Sequence, residues 1–321
     1  MQSIPVIDIA PLLQSGPNEV GEQIARTCRD IGFMCITGTG VDPALAPAIR
    51  AQMAQLFALP HERKLAQVIT RKNYRGFVPL GFFSPNDGSG KPDRYESWKL
   101  HFEVAADDPI RQDCPLYGPN IWPAELPLLP GLIQRYWHSM DSVFARLMAC
   151  FCTDLRIDPQ TLQSAFEKPL TSMSLLHYPP QANGDDGYGI HPHKDTDALT
   201  IIAPDPVGGL QVLARDGTWI DVECPADGFV VNIGDMLELW SGGRFVSTPH
   251  RVINRSGKER YSFPWFAVPR HDVVVRPLVD PLPGFSRPAV HCGHWSAEIW
   301  RTNWPDDKAN ADGLDLGTVH S

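Results

Sequence analysis

From Ser174 to Arg276 the sequence divides into nine short β-prone runs separated by turn chemistry, and that rhythm restricts the fold more than any other feature. The runs are Ser174 to Tyr178, Leu199 to Ala203, Gly209 to Leu213, Trp219 to Glu223, Phe229 to Ile233, Met236 to Trp240, Arg251 to Asn254, Arg260 to Val268 and Val273 to Arg276. Asp216-Gly217 is a hairpin signal, because both residue types tolerate the left-handed backbone of a tight turn, and Ser256-Gly257 marks another turn. Many short strands at this spacing predict a sandwich or jelly roll.

The first half reads differently. Ile4 to Ile9 is a short strand with Pro5 near its start, and Pro17 opens a helical pattern carrying Val20, Ile24, Cys28 and Ile31 up to Gly32. Phe33 to Thr37 is a second strand, Gly38-Thr39-Gly40 a turn, and from Asp42 a helix carries Leu45, Ile49, Met53, Leu56 and Phe57 until Pro60 closes it. Pro130 starts the longest helical pattern, whose apolar face runs from Leu132 through Tyr136, Met140, Phe144 and Leu147 to Phe151. It stops near Leu155, which suits a buttress under a sheet better than a coiled coil. Asp158 then caps a short helix with Pro159 in its first turn.

Residues 72–128 have little periodicity but many aromatics, including Arg75 to Phe83 and Arg94 to His101, so they are expected to be packed and to line a pocket. From Val279 the chain is Pro-rich, then helical over Trp295 to Thr302, and after Trp304 it has little to bury. Together these readings predict one α+β domain: a double-stranded β-helix (jelly roll) core with N-terminal and buttressing helices. Residues 1–170 form its mostly helical part, 171–280 the jelly roll with the metal site, and 281–321 a C-terminal extension.

A net charge of -9 disfavours nucleic acid or an anionic membrane as partner, since both are met by Lys/Arg surfaces. The N-terminus lacks a cationic segment followed by an apolar one, and no long apolar stretch occurs, so the expectation is a soluble, cytoplasmic protein. Seven scattered cysteines without a Cys-x-x-Cys suggest neither a disulfide framework nor a zinc-thiolate site.

His191, His193, Asp195 and Asp197 fall at every second position. An extended backbone would turn all four to one side with about 6.6 Å of rise between successive ones, within reach of one metal ion. The competing reading is a polar strand edge or loop, which Pro192 favours. His250, before an apolar run, offers a further ligand, and two histidines with one carboxylate make the facial triad that holds Fe(II) with open positions. Ten residues on, Arg260 and Ser262 share a strand face. They suit a carboxylate if that face is interior, and are an ordinary surface pair if it is not.

At this point the chain resembles, over nearly its whole length, the isopenicillin N synthase-like branch of the Fe(II)- and 2-oxoglutarate-dependent oxygenases. The matching pieces, in order, are Ile4-Pro-Val-Ile-Asp8, Gly32-Phe33 with Gly38-Thr-Gly40, Arg75-Gly76, Gly118-Pro-Asn-Ile-Trp-Pro123 and Tyr178-Pro-Pro180. They continue with His193-Lys-Asp195 followed by Leu199-Thr200, Val207-Gly-Gly-Leu-Gln-Val212, Asn232-Ile-Gly-Asp235, His250-Arg-Val252 and Arg260-Tyr-Ser262. The resemblance implies His193, Asp195 and His250 as iron ligands, with His191 and Asp197 outside the ligand set. It implies Arg260, Ser262 and Tyr178 as the site of the distal carboxylate of 2-oxoglutarate. Two positions depart from the family pattern: Leu176 stands where an Asn is usual, and Thr39 where a His is usual.

The implied activity is hydroxylation or desaturation of a small molecule by an Fe(IV)-oxo, with O2 consumed, succinate and CO2 released, and ascorbate as a supporting reductant. A retained Asp195 argues against halogenation. Two alternatives remain at this level: an oxidase or cyclase of isopenicillin N synthase type that works without 2-oxoglutarate, and a non-catalytic metal-binding jelly roll. For the substrate, the candidates are Phe82, Phe83, Arg94, Trp98, Lys99 and His101 from the irregular segment, with Trp240 and Phe266. An inward Arg94, Lys99 or His101 would point to an acidic substrate.

Overall fold

Strand β1 (Val6–Asp8) lies parallel to β2 (Phe33–Thr37), joined through a short 3-10 turn and helix α1 (Glu19–Asp30), the crossover that parallel pairing requires. The computed structural model describes residues 3–14, 16, 19–83, 91–181 and 187–304; the expected helix start at Pro17 and the tail after Trp304 lie outside them. Gly32 closes the α1 pattern at φ +66°, where an added Cβ would sit 1.9 Å from the Val246 carbonyl oxygen. No other residue fits there.

Helices α2 (Leu45–Phe57) and α3 (His61–Leu65) follow, then β3 (Gly76–Val78), β4 (Glu96–His101) and α4 (Ile110–Asp113). Next come α5 (Leu129–Leu155) and α6 (Pro159–Ala165), which Asp158 caps by accepting the Gln160 N–H at 2.9 Å. The β-rich part contains β5 (Ser172–Tyr178), β6 (Ile190–His193), β7 (Leu199–Ile202), β8 (Leu210–Leu213), β9 (Trp219–Asp221) and β10 (Phe229–Ile233). It ends with α7 (Asp235–Trp240), β11 (His250–Val252), β12 (Arg260–Ser262), β13 (Trp265–Ala267), β14 (Val274–Val275), β15 (Val290–His291) and α8 (Cys292–Asn303).

One large sheet has the order β1-β2-β10-β7-β13-β5-β4-β3, with β12 also on β5, and a smaller sheet has the order β6-β11-β8-β9. This is the jelly roll, buttressed by α5. The apolar face of α5 (Tyr136, Met140, Phe144, Leu147, Phe151) is buried in the main core with Trp265, Phe263 and Phe245, each such side chain contributing about 1.5–3 kcal/mol by leaving water. Among the described residues no helix is long and apolar enough to cross a membrane. The seven cysteines are free, and all but Cys224 are buried.

Three expectations need correction. Residues 236–240 are not a strand: the N–H groups of Asp235 and Met236 are bonded to the carbonyls of Asp195 and Asp197, which turns the chain into α7. Four of its residues are buried, so its apolar run showed no period to separate helix from strand. The run from Arg260 to Val268 is two strands on the same partner, broken at Phe263-Pro264 where the proline has no N–H to offer the ladder. Residues 72–128 are also not irregular throughout, because β4 pairs over six positions with β5.

Candidate active site

Strand register puts most of the site on one face of the large sheet. Residues directly opposite in an antiparallel pair share a face. Lys99 pairs with Ser174, His101 with Ser172, Arg260 with Tyr178, Ser262 with Leu176, Phe266 with both Ser172 and Thr200, and Asn232 with Thr200. The alternate residues Trp98, Leu100, Met173 and Leu175 face the core. The polar side of β4 that carries Lys99 and His101 is thus its cavity side.

Facing this sheet, His193 of β6 stands directly opposite His250 of β11. Asp195 follows β6 on a segment held by the α7 backbone bonds. The Nε2 atoms of both histidines are 3.7 Å from Asp195 Oδ1, and donor atoms of the three residues lie within 4.8 Å of one another, within reach of one metal ion. Among the described residues this is the one such group.

Hydrogen bonds aim each donor. His193 Nδ1 donates to the His191 carbonyl at 2.8 Å and His250 Nδ1 is 3.2 Å from the Thr248 carbonyl, so each ring keeps its Nε2 lone pair free. Asp195 Oδ2 accepts from Thr200 Oγ1 at 2.5 Å and Asn232 Nδ2 at 2.7 Å, leaving Oδ1 for the histidines. Burial opposes ionisation of Asp195, but His250, His193 and the two bonds outweigh it and hold its pKa below the usual carboxylate value. Burial, with His250 alongside, lowers the His193 pKa despite Asp195, which favours the neutral ring a metal needs.

His191 and Asp197 do not join the group. His191 Nδ1 donates to Asp93 Oδ1 at 2.7 Å and its backbone N–H donates to the same oxygen at 2.9 Å. Burial and the charge of Asp195 raise the Asp197 pKa well above the carboxylate range. Thr200 Oγ1 is 2.5 Å from Asp195 Oδ2 and 2.9 Å from Asp197 Oδ2, so one hydroxyl bridges the two buried carboxyl groups.

Arg260 and Ser262 are interior, each 4% exposed. Arg260 Nε donates to the Gly208 carbonyl at 2.6 Å and the guanidinium lies 4.6 Å from the Tyr178 ring centre. Its Nη1 is buried with no partner among the described residues, an orphan donor of the kind an incoming carboxylate satisfies. Tyr178 is fully buried, and burial pushes its pKa up to about 12, so it approaches an anion as a neutral hydroxyl.

A cavity of about 590 Å³ opens beside the triad. Of the candidate substrate residues, Phe83, Lys99, His101 and Phe266 line it. Phe82 lies behind, edge-on to Phe83 and Trp304 at 5.1 Å from each ring. Trp98 and Trp240 are corrections: both are buried in the main core, Trp98 donating to the Ile121 carbonyl at 2.9 Å and Trp240 packing on Phe166. Arg94 is outside the lining, and its backbone N–H bonds the carbonyls of Tyr188 and Gly189.

Sequence reasoning missed Asp93, Ser172 and Ser174 of the cavity wall, and Ser296, Ile299 and Trp300 of α8. Period-two alternation marks Ser172 and Ser174. Nothing local marks the α8 residues, which reach the site only through tertiary packing.

Comparison with known proteins agrees with this geometry. A family model described as the 2OG-Fe(II) oxygenase superfamily matches residues 170–269, and one described as non-haem dioxygenase in morphine synthesis N-terminal matches residues 4–125. The 2-oxoglutarate-Fe(II) type oxidoreductase hxnY of Emericella nidulans is 31% identical over 82% of this chain and 78% of its own length. Homoarginine-6-hydroxylase 2-ODD-C23.2 of Arabidopsis thaliana is 32% identical over 86% of this chain and 80% of its own. Among solved structures, JOX2 in complex with 2OG, Fe and JA superposes with a TM-score of 0.77 at 27% identity, covering 93% of this chain and 85% of that one. A 2OG-Fe(II) oxygenase family protein of Caulobacter crescentus has the same fold, with a TM-score of 0.79 at 24% identity over 94% and 99% of the two chains.

Proposed function

Given that the chain belongs to the 2OG-Fe(II) oxygenase superfamily, in its isopenicillin N synthase-like branch, we propose that His193, Asp195 and His250 hold its iron. We propose further that Arg260, Ser262 and Tyr178 receive the distal carboxylate of 2-oxoglutarate, and that the adjoining cavity presents a small-molecule C–H bond for hydroxylation or desaturation. The protein is an Fe(II)- and 2-oxoglutarate-dependent dioxygenase, and the residue roles are the proposal.

One observation carries the assignment: Asp195 commits one oxygen to Thr200 and Asn232 and turns the other to two histidines whose Nδ1 atoms are already engaged. Two nitrogens and one oxygen on one side of an ion suit Fe(II) and leave positions open. When bound, iron and O2 supply the oxidising power, coupled to conversion of 2-oxoglutarate to succinate and CO2.

The chain's own work is positioning and exclusion. Arg260 orients the cosubstrate by filling its orphan Nη1 bond, and Thr200 and Asn232 hold the Asp195 carboxylate in place. Phe83, Phe266 and Trp300 give the cavity apolar walls that keep water from the reacting centre. The 2-oxoglutarate dependence of the relatives supports this reading over a 2-oxoglutarate-independent oxidase or a non-catalytic jelly roll.

The test is release of succinate from 2-oxoglutarate in the presence of Fe(II), O2 and ascorbate, with anaerobic Fe(II) titration alongside. Wild-type protein is expected to turn over and to bind one iron, and His193→Ala to lose both. Absence of succinate from wild-type protein across a broad small-molecule panel would defeat the proposal.

A further inference from the structure

Lys99 projects from the cavity face of β4, and the surface it exposes is cavity wall. Its Nζ donates to Ser174 Oγ at 2.6 Å and stands 5.5 Å from the Phe266 ring centre and 5.4 Å from that of Trp300. No carboxylate lies within ion-pair distance of it among the described residues. Desolvation lowers its pKa to about 8, and the one charge that opposes this is Asp195.

The other charged groups of the cavity are engaged. Asp93 is bonded to His191, Asp197 is bonded to Thr200, and Asp195 belongs to the proposed iron site. Lys194, more exposed, lies 3.9 Å from Glu238, which also takes Arg287 at 2.8 Å. His101 is held neutral by burial and by the charges of Arg75 and Lys99, and its Nε2 is 2.9 Å from the Tyr74 carbonyl. With Asp195 committed to iron, Lys99 is a cation among aromatic rings whose one hydrogen-bond partner among the described residues is a hydroxyl. An uncompensated charge in such a place is destabilising, and an incoming anion removes the penalty.

We propose that Lys99 anchors a carboxylate of the substrate, and that the cavity takes a small acid with an apolar, partly aromatic body. The body is set by Phe83, Leu116, Leu170, Phe266, Val268 and Trp300, which give it an apolar wall to lie against. Phe266 and Trp300 flank the ammonium, so an aromatic or alicyclic group beside the carboxylate is covered as the ion pair forms. This rests on the iron and 2-oxoglutarate assignment above, because it takes Asp195 and Arg260 as already engaged.

The experiment is anaerobic titration of the Fe(II)-loaded protein, with 2-oxoglutarate saturating so that Arg260 is filled. The probes are phenylbutanoate, cinnamate and cyclohexylpropanoate, each against its primary amide. Wild-type protein is expected to bind the acids about ten- to a hundredfold more tightly than the amides. In Lys99→Met that preference collapses, while the melting temperature of the Fe(II)-loaded protein without added acid rises because a buried unpaired charge is gone. Lys99→Gln serves if the Met variant does not fold, and the wild-type comparison needs no variant.

Equal binding of acids and amides, no binding of any acid, or a preference that survives in the variant overturns the proposal. So does an equal loss of 2-oxoglutarate affinity in Lys99→Met, which would assign the lysine to the cosubstrate. The visible charge-transfer band of an Fe(II)-2-oxoglutarate chelate, checked first in wild-type protein, separates the two levels. If it is absent the underlying assignment fails, and the acid preference of the metal-free protein then decides the role of Lys99 by itself.

Discussion

Thr200 Oγ1 stands 2.5 Å from Asp195 Oδ2 and 2.9 Å from Asp197 Oδ2, so a single hydroxyl links the carboxylate of the triad to a second buried acid two residues away. Groups that orient a ligand in this way commonly change metal affinity ten- to a hundredfold when removed. Thr200→Val keeps the shape and deletes the hydroxyl. Its Fe(II) affinity, measured by anaerobic calorimetry, is expected to fall by about that factor. An unchanged affinity would mean that Asn232 alone suffices to orient Asp195.

Arg260 offers a second separation of roles. Replacing it with Met removes the buried orphan donor that we assign to the cosubstrate and leaves the triad untouched. Truncating one member of a buried charge pair costs about 2–5 kcal/mol, so the KM for 2-oxoglutarate is expected to rise at least about thirtyfold while Fe(II) affinity stays within about twofold. Parallel losses of both would show that Arg260 supports the fold rather than the cosubstrate.

On the far face of β5 from the cavity, His177 Nδ1 is 2.8 Å from Glu96 Oε1 and Nε2 is 2.6 Å from Glu259 Oε2, with Lys64 Nζ 2.7 Å from Glu96 Oε2. Burial opposes the charge on His177, but the two carboxylates outweigh it and raise its pKa. A raised folded-state pKa contributes stability that is fully present below the unfolded value of about 6.5 and is lost as pH climbs through the folded value. His177→Gln should therefore cost about 1–3 kcal/mol at pH near 6 and clearly less near pH 9, read from urea melts at both. A cost independent of pH would contradict the charged form.

Gly32→Ala probes the junction of α1 with β2. The substitution must hold φ at +66° and place a Cβ 1.9 Å from the Val246 carbonyl oxygen. Left-handed backbone alone costs about 1–2 kcal/mol, and the contact adds a forced shift of a backbone whose Val246 N–H bonds the Cys28 carbonyl. A loss of more than about 2 kcal/mol in chemical denaturation is expected, and a loss below about 1 would mean that this junction yields easily.

Much of the site is legible in the chain because β-strands alternate. His191 and His193 alternate along β6 on one side, and Arg260 and Ser262 share a face of β12 for the same reason, whereas Asp195 and Asp197 lie beyond the end of β6. The same rule, applied to Ser97, Lys99 and His101 against Trp98 and Leu100, marks the cavity side of β4. Where local pattern carried no period, as in Met236 to Trp240, it misled, and the bonds from α7 to Asp195 and Asp197 decided for a helix.

By itself the sequence determined the jelly roll with its helical buttress, the residue types of the site and, through family resemblance, which three of the candidate ligands belong together. Tertiary structure decided the rest: that His250 stands opposite His193, that His191 is spent on Asp93 and Asp197 is buried against Thr200, that α8 lines the cavity, and that Lys99 has no carboxylate within ion-pair distance among the described residues. The division has a physical reason. Backbone periodicity is set by neighbours a few residues apart, whereas the partner and protonation state of a buried polar group depend on whatever distant segment packing brings against it.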